Sequence, residues 1–479
     1  MFYISQTSGL ISLIGFGITM TALTYYFAKK RASNTKTEFL LASREVGWKS
    51  GGASIAASWL WAPALFISVQ MAYETGLAGI FWFTAPNIVA LAIFAILAPK
   101  IREKLPEGFT LPQYIQERLK SKRVHRIYLF PYFFYQLMAI TAQLFAGGSF
   151  VSLLTGISLT ITMPILAIIA LTYTLISGLR ASVITDVVQL VLIFAIGALI
   201  LPMTWSVGGG TSAIMAGIGG LAGIKNIFDP GVAFSFGIVT SIGLIAGAIS
   251  DQQYWQRAFA IKKKELKKSF LAGAVMFGIV PIALSTLGFL AANPTLGISL
   301  PDGVDVSMIG VQVITSLLPH WAVYLFIVML LAGLSSTLDS GLAAASSLWV
   351  TDIKKSTTLD TDAIKSARKA MVGVTIVGLL VAFGVLYIPG FGLKHLWWVF
   401  NTIAACVVVP TILSLYWKKL DERGVFWGIL VSFIVGIPLF VYGNIIDKPI
   451  WIVSSTLFII AISTIFCVTM KQKAVYQQT

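Results

Sequence analysis

Between Leu331 and Asp352 the chain reads LAGLSSTLDSGLAAASSLWVTD, placing three consecutive hydroxyls and a carboxylate inside a segment otherwise apolar enough to cross a bilayer. A helix in hydrocarbon can hide a Ser or Thr against its own backbone carbonyls, but an Asp at depth needs a cation, a proton or a polar cavity. On a helix Gly333, Ser336, Thr337 and Ser340 share one face with the i, i+3, i+4, i+7 spacing, and Asp339 lies beside them. Together they make an oxygen-rich stripe suited to a hard monovalent cation or to a proton.

The elements that must carry this stripe are membrane spans. With 57% hydrophobic and 11% charged residues and a mean hydropathy of +0.87, the chain is not a soluble globule. Apolar runs recur at 8–28, 50–73, 77–98, 127–155, 158–177, 182–205, 232–250, 269–292, 321–350, 370–388, 395–417, 424–444 and 449–470, which predicts thirteen transmembrane helices. Cys406 and Cys467 both fall inside such runs, so neither a disulfide framework nor a zinc site is expected.

The net charge of +15 would suggest nucleic acid in a soluble protein, but its distribution excludes that partner. Thirty-one of the 34 Lys and Arg residues fall in 29–49, 100–126, 257–268, 354–369 and 418–423, at Arg180 and in the tail; the intervening loops hold only Lys225, Lys394 and Lys448. The two sets alternate along all thirteen spans, as the positive-inside rule requires, which puts the N-terminus outside and the C-terminus inside. The first run lacks a basic leader and is followed by Lys29, Lys30 and Arg31, so it reads as a retained helix. No loop is long enough for a separate soluble domain, and with nine residues after Met470 no appended signalling domain is expected. The whole chain, 1–479, therefore reads as a single membrane domain of a multi-pass protein of the plasma (inner) membrane, with the lipid bilayer as its surroundings and no obligate protein partner implied.

Two spans are interrupted by small residues: 50–63, with Gly51, Gly52 and Pro63, and 232–250, with Gly237, Gly243 and Gly247. They open successive blocks of five spans. An odd number of spans makes the blocks enter the membrane from opposite sides, the geometry of an inverted repeat with its site between broken helices.

Five patches, GGASIAASW (51–59), TLPQYIQERLKSKRVHR (110–126), SGLRASVITDVVQ (177–189), DQQYWQRAFA (251–260) and AGLSSTLDS (332–340) with a closing TD at 351–352, resemble the sodium/solute symporter family, whose members include sodium-coupled proline, sugar, sialic acid and urea-type transporters. The resemblance implies a LeuT-type 5+5 inverted repeat: an extra helix at 8–28, repeats at 50–205 and 231–417, and two further helices at 424–470. It also implies a main Na⁺ site made by backbone carbonyls of Ala53 and Ala56, a carbonyl of Gly333 and the hydroxyls of Ser336 and Thr337. Oxygen ligands suit a hard cation, and an unwound helix frees carbonyls that a continuous one would occupy. Na⁺ is then a co-transported ion, with no organic cofactor.

Relatives with a second sodium site build it from the Asp of the TD motif, here Asp186, and hydroxyls below the main site, here at Asp339 and Ser340 with Ser336 shared. An Asp at 339 departs from part of the family. Two close carboxylates cannot both stay ionised without a cation or proton. A second Na⁺, a shared proton and a structural role for Asp339 remain open.

Around the interrupted span, Ser58, Trp59, Trp61, Phe81, Trp82 and Phe83 are either packing or the wall of a small-solute pocket, and Gln136, Gln143 and Asn401 are candidate polar contacts. Trp397 and Trp398 read as an interfacial aromatic belt, and His125, His320 and His395 as interfacial residues. The sugar-type amide and tyrosine gate fall near Leu244 and Gly247, which disfavours a sugar. With no Lys or Arg expected in the interior, a small neutral or zwitterionic solute fits best, urea or proline among them; SWLWAPALF leans toward the urea-type branch. The expected function is Na⁺-coupled symport by alternating access, with H⁺-coupled symport as the alternative. An intramembrane aspartyl protease using Asp186 and Asp339 is a remote one, since its GxGD-type motif is missing. No enzyme activity is expected.

Overall fold

The computed structural model describes residues 3–30, 34–355, 360–388 and 392–470. Three charges of the basic set, Arg31, Lys471 and Lys473, lie outside the described residues. Among those residues the fold is all-helical, its only extended pairing being the bridge between Val46 and Ile261. The helices used below are α1 (Gln6–Lys30), α2 (Trp48–Trp59), α3 (Ser68–Lys104), α4 (Leu111–Leu119), α5 (Lys122–Thr155), α6 (Leu159–Val207), α7 (Ile238–Ser250), α8 (Gln252–Ala260), α9 (Leu266–Ala292), α10 (His320–Leu348), α11 (Asp360–Val385) and α12 (Leu393–Tyr416). Two further spans, Glu422–Ile445 and Pro449–Thr469, close the chain.

Twelve helices among the described residues are long and apolar enough to cross a membrane, α6 counting as two because it is divided at Gly178 (φ +58°), against the thirteen predicted. The difference lies at the expected second span, 50–73. Helix α2 stops at Trp59, and the chain resumes at Pro63 in a helical stretch that runs on to Lys104. That stretch turns sharply at Gly76, at φ +63° and ψ −140°, where only glycine is at ease. The turn is held from outside: Leu221 and Ala222 donate backbone N–H groups to the carbonyls of Tyr73 and Glu74 at 2.7 and 3.0 Å. The glycine-rich loop 207–226 is thus stitched onto a helix bend.

The second interrupted span does not break in mid-course. Pro230–Ser250 is helical throughout, with one wide turn at Ala233–Gly237. Its glycines serve close packing, Gly237 against the ring of Trp82 and Gly247 where Asn401 and Tyr135 converge. The chain leaves helical geometry only at Asp251, which caps α8.

Helix α10 is the hub, packed against α6 and α5, while α3 lies along α9 and α7 along α12. Every residue of α10 from Met329 to Leu348 is buried. The basic loops meet one another: Lys36 N–H donates to Asp360, Arg44 pairs with Glu107, Arg180 reaches Ser43, Val46 pairs with Ile261, Lys355 reaches Gln116, and Arg118 reaches the Lys418 carbonyl. The sparsely charged loops also meet, through Asn293 and the Ala213 carbonyl. The basic loops thus cluster with one another.

Candidate functional site

The site begins where α2 ends. Leu60 N–H still reaches back to the Ala56 carbonyl at 3.0 Å, but the next helical bonds fail because Pro63 has no N–H and Ala62 N–H turns away to Gln143 Oε1 at 2.8 Å. The Ser58 carbonyl, which Ala62 would have bonded in a continuous helix, instead accepts from Thr337 Oγ1 at 3.1 Å. Gly333 faces the same break. A Cβ there would lie 2.9 Å from the Leu60 carbonyl oxygen and 2.7 Å from Leu65, so α10 can approach only because residue 333 has no side chain. Of the carbonyls that the family resemblance implies, Ala56 is taken by Leu60 N–H; the break frees those of Ser58 and Leu60.

Ser336 points one turn away from the break and donates to Asp186 Oδ1 at 2.5 Å. The other carboxylate oxygen accepts from Ser54 Oγ at 2.5 Å and from Arg257 Nη2 at 2.9 Å. Arg257 also donates to Ser54 Oγ from Nε at 2.9 Å and to Ser340 Oγ from Nη2 at 2.7 Å. Asp339 accepts from Ser182 Oγ at 2.6 Å and from Thr185 Oγ1 at 3.2 Å, and Ser182 and Ser340 are 3.0 Å apart. Asp186, Asp339, Ser336 and Ser340 are completely buried, and Arg257 is nearly so. Two carboxylates and one guanidinium thus form a single hydroxyl-linked cluster drawn from α2, α6, α8 and α10.

This corrects the expectation of an interior free of Lys and Arg. Arg257 had been counted with the basic loop 257–268, yet it sits on α8 with its charge turned inward. The sequence carried a cue, because Arg257 is followed by the apolar Ala258, Phe259 and Ala260 before the lysines begin. His125, expected as an interfacial residue, is also buried and paired with Asp352 at 2.8 Å, while Thr110 donates to the other Asp352 oxygen at 2.7 Å. Trp397 is buried against Phe83 and Phe236 rather than lying in an interfacial belt, and Trp398 is nearly as buried.

The solute candidates separate into groups. Trp59 stacks on Trp61 at 5.1 Å, Trp61 meets Phe400 at 5.2 Å, and Phe400 meets Tyr135 at 5.1 Å, whose hydroxyl donates to Asn401 Oδ1 at 3.4 Å. These rings run from the α2 break to α12, with Gln143 at one end and Asn401 at the other. Two buried donors beside the break, Trp61 Nε1 and Gln143 Nε2, have no protein partner. Ser58 Oγ folds back onto the Ser54 carbonyl, and Trp59 Nε1 is taken by Asn87. Trp82 packs on Gly237, and Gln136 donates to Asp251 Oδ1 at 3.0 Å, so neither joins the aromatic row through a direct contact. Asp251, not anticipated from the sequence, is buried; among the described residues its carboxylate accepts only from Gln136 and from the Gln253 N–H, and burial pushes the carboxyl up to about 7.

A sequence profile of the sodium:solute symporter family matches residues 39–432. The chain belongs to that family. Among similar family proteins, the urea-proton symporter DUR3 of Oryza sativa subsp. japonica is 23% identical over 91% of this chain and 65% of its own length, so the chain spans just under two thirds of that relative. The high-affinity proline transporter PutP of Bacillus subtilis (strain 168) is 27% identical over 86% of this chain and 87% of its own. A solved Na⁺-coupled sialic acid symporter shares the fold, with a TM-score of 0.75 at 18% identity over 96% of this chain and 98% of that one. This is a family of transporters and not of enzymes, which disposes of the aspartyl-protease alternative.

Proposed function

We propose that the protein is a Na⁺-coupled symporter for a small neutral or zwitterionic solute, working by alternating access between two inverted repeats, 50–205 and 231–417. The observation that carries this reading is the pairing of the α2 break with the Gly333–Thr337 face of α10, where freed carbonyls and the Thr337 hydroxyl converge without a formal charge. Neutral oxygens hold Na⁺ weakly enough to release it; of the proposed ligands Ala53, Ala56, Gly333, Ser336 and Thr337, Ser336 must give up its bond to Asp186 to take part. The driving force is adequate: one Na⁺ gains about 2.3 kcal/mol at 100 mV, and a tenfold gradient adds about 1.4 kcal/mol.

In the Asp186–Asp339 cluster, Arg257 supplies one positive charge for two carboxylates. A buried cluster left with one negative charge recruits one further monovalent cation or a proton. That role falls to Asp339, with Ser182, Thr185 and Ser340 beside it. The solute is assigned to the row from Gln143 to Asn401, where the unpartnered donors Trp61 Nε1 and Gln143 Nε2 suit a carbonyl or carboxylate oxygen. The test is uptake of a labelled panel, urea and proline included, into proteoliposomes with and without a Na⁺ gradient. Solute accumulation that persists when choline replaces Na⁺ at constant pH refutes Na⁺ coupling.

Asp251 favours a second reading, proton coupling, because a buried carboxyl with no cationic partner in hydrogen-bonding reach and a pKa near 7 can exchange a proton at neutral pH. A relative named as a urea-proton symporter is compatible with it. Sidedness is proposed from the two-faced charge distribution. Cysteines introduced at Lys36, Lys120, Lys263 and Lys365 are expected to react only from the cytoplasm, and those at Ser212, Asp302 and Ile446 only from outside, as membrane-impermeant thiol labelling checks.

A further inference from the structure

A groove of about 790 Å³ lies between α5, the end of α10 and α11, lined by none of the ion and solute residues. Eleven of its fourteen lining residues are apolar; the exceptions are Lys354, Lys369 and Ser366. Along α11 the lining positions Ser366, Lys369, Ala370, Gly373, Val374 and Val377 recur at helical spacing, so one stripe of that helix forms a wall. From Ser366 to Val377 this wall rises about 16 Å at 1.5 Å per residue, close to half of a hydrocarbon core of about 30 Å. The groove is thus one leaflet deep. Its cationic end is the one that joins the basic loop 354–369, and among the described residues neither Lys354 nor Lys369 is in an ion pair. The opposite wall is aromatic: Phe130, more than half exposed, stacks on Phe134 at 5.8 Å. At the junction Trp349 Nε1 donates to Ser366 Oγ at 3.2 Å, so the indole marks the boundary between charge and apolar wall.

We propose that this groove is a specific site for one anionic phospholipid of the leaflet on the basic side, its phosphate held by Lys354 and Lys369 and one acyl chain lying along α11. Charge complementarity selects the occupant. Two unpaired ammonium groups above an apolar slot of leaflet depth favour an anionic headgroup over a zwitterionic one. A second copy of the chain would have to bring an apolar helix ending in acid at that level, and the basic loops of this face offer mainly Lys and Arg. The site sits against α10 and α5, so an occupant touches the outer surface of the helices that carry Thr337 and Gln143.

Trp349 provides the readout. Protein reconstituted in vesicles of brominated phosphatidylglycerol or brominated phosphatidylcholine, each mixed with its unbrominated form, gives tryptophan quenching curves; subtraction of Trp349→Phe isolates the groove. At least threefold tighter association of the anionic lipid at Trp349, reduced to no preference in Lys354→Ala/Lys369→Ala with quenching of the other tryptophans unchanged, is expected. Equal quenching by both lipids in the wild type, or none at Trp349, overturns the proposal. So does efficient oxidative cross-linking between copies through Gly373→Cys, which would make the groove a subunit contact.

Discussion

Asp186 and Asp251 are both buried carboxylates, yet their surroundings differ in kind. Asp186 meets the Arg257 guanidinium and two hydroxyls, Ser54 and Ser336, so its charge is compensated and its lone pairs are filled. Asp251, six residues before Arg257 in the sequence, accepts from a side-chain amide and a backbone N–H and feels Arg257 only at longer range, without a hydrogen bond to it. The first arrangement fixes a charge and ties four helices together. The second leaves a charge that the protein can discard by taking up a proton. Depth alone does not make a carboxylate an ion carrier; its partner does.

Removing the compensating charge tests this contrast most severely. Arg257→Gln strips the buried Asp186 of its countercharge, a change that costs about 3–5 kcal/mol in buried pairs. A large drop in thermal midpoint in detergent is expected, with at least half recovered in Arg257→Gln/Asp186→Asn. A single mutant as stable as the wild type breaks the comparison.

The next effect is a pH slope from Asp251. Its folded pKa, about 7, stands above the ordinary value of 3.8, so the folded state holds a proton that the unfolded chain has lost between those limits. Stability is then greatest at the acid end and falls as pH rises from about 4 to about 7, at up to about 1.4 kcal/mol per unit. Asp251→Asn is expected to flatten that part of the thermal midpoint profile; an unchanged slope means that another group titrates there.

Smaller effects belong to the ion sites. Thr337→Ala removes one ligand oxygen and is expected to raise the Na⁺ concentration for half-maximal uptake severalfold while lowering the thermal midpoint little. Wild-type Na⁺ activation in that variant removes the hydroxyl from the main site. Smallest is Asp339→Asn, expected to lower the Hill coefficient for Na⁺ if Asp339 takes a second sodium, or to abolish acid-dependent uptake if it takes a proton. A variant altered in neither makes Asp339 a structural acceptor for Ser182 and Thr185.

The sequence by itself determined the membrane character, the alternation of charged loops and the polar stripe of α10, because each is a local or periodic property: apolar length, loop composition and residues three or four apart on one helix. It also marked the α2 break, since Pro63 has no N–H with which to continue the hydrogen bonding of α2. Only the tertiary structure decided which carbonyls the break exposes, because that depends on Gln143 capturing the Ala62 N–H and on Gly333 admitting α10. Likewise, Pro230–Ser250 shares glycine content with the broken segment but stays helical, its small residues accommodating Trp82 and Asn401. Arg257 was legible as a charge and not as a partner. Its neighbours Ser54, Asp186 and Ser340 lie 203, 71 and 83 residues away in sequence, and no local pattern encodes a meeting over such distances.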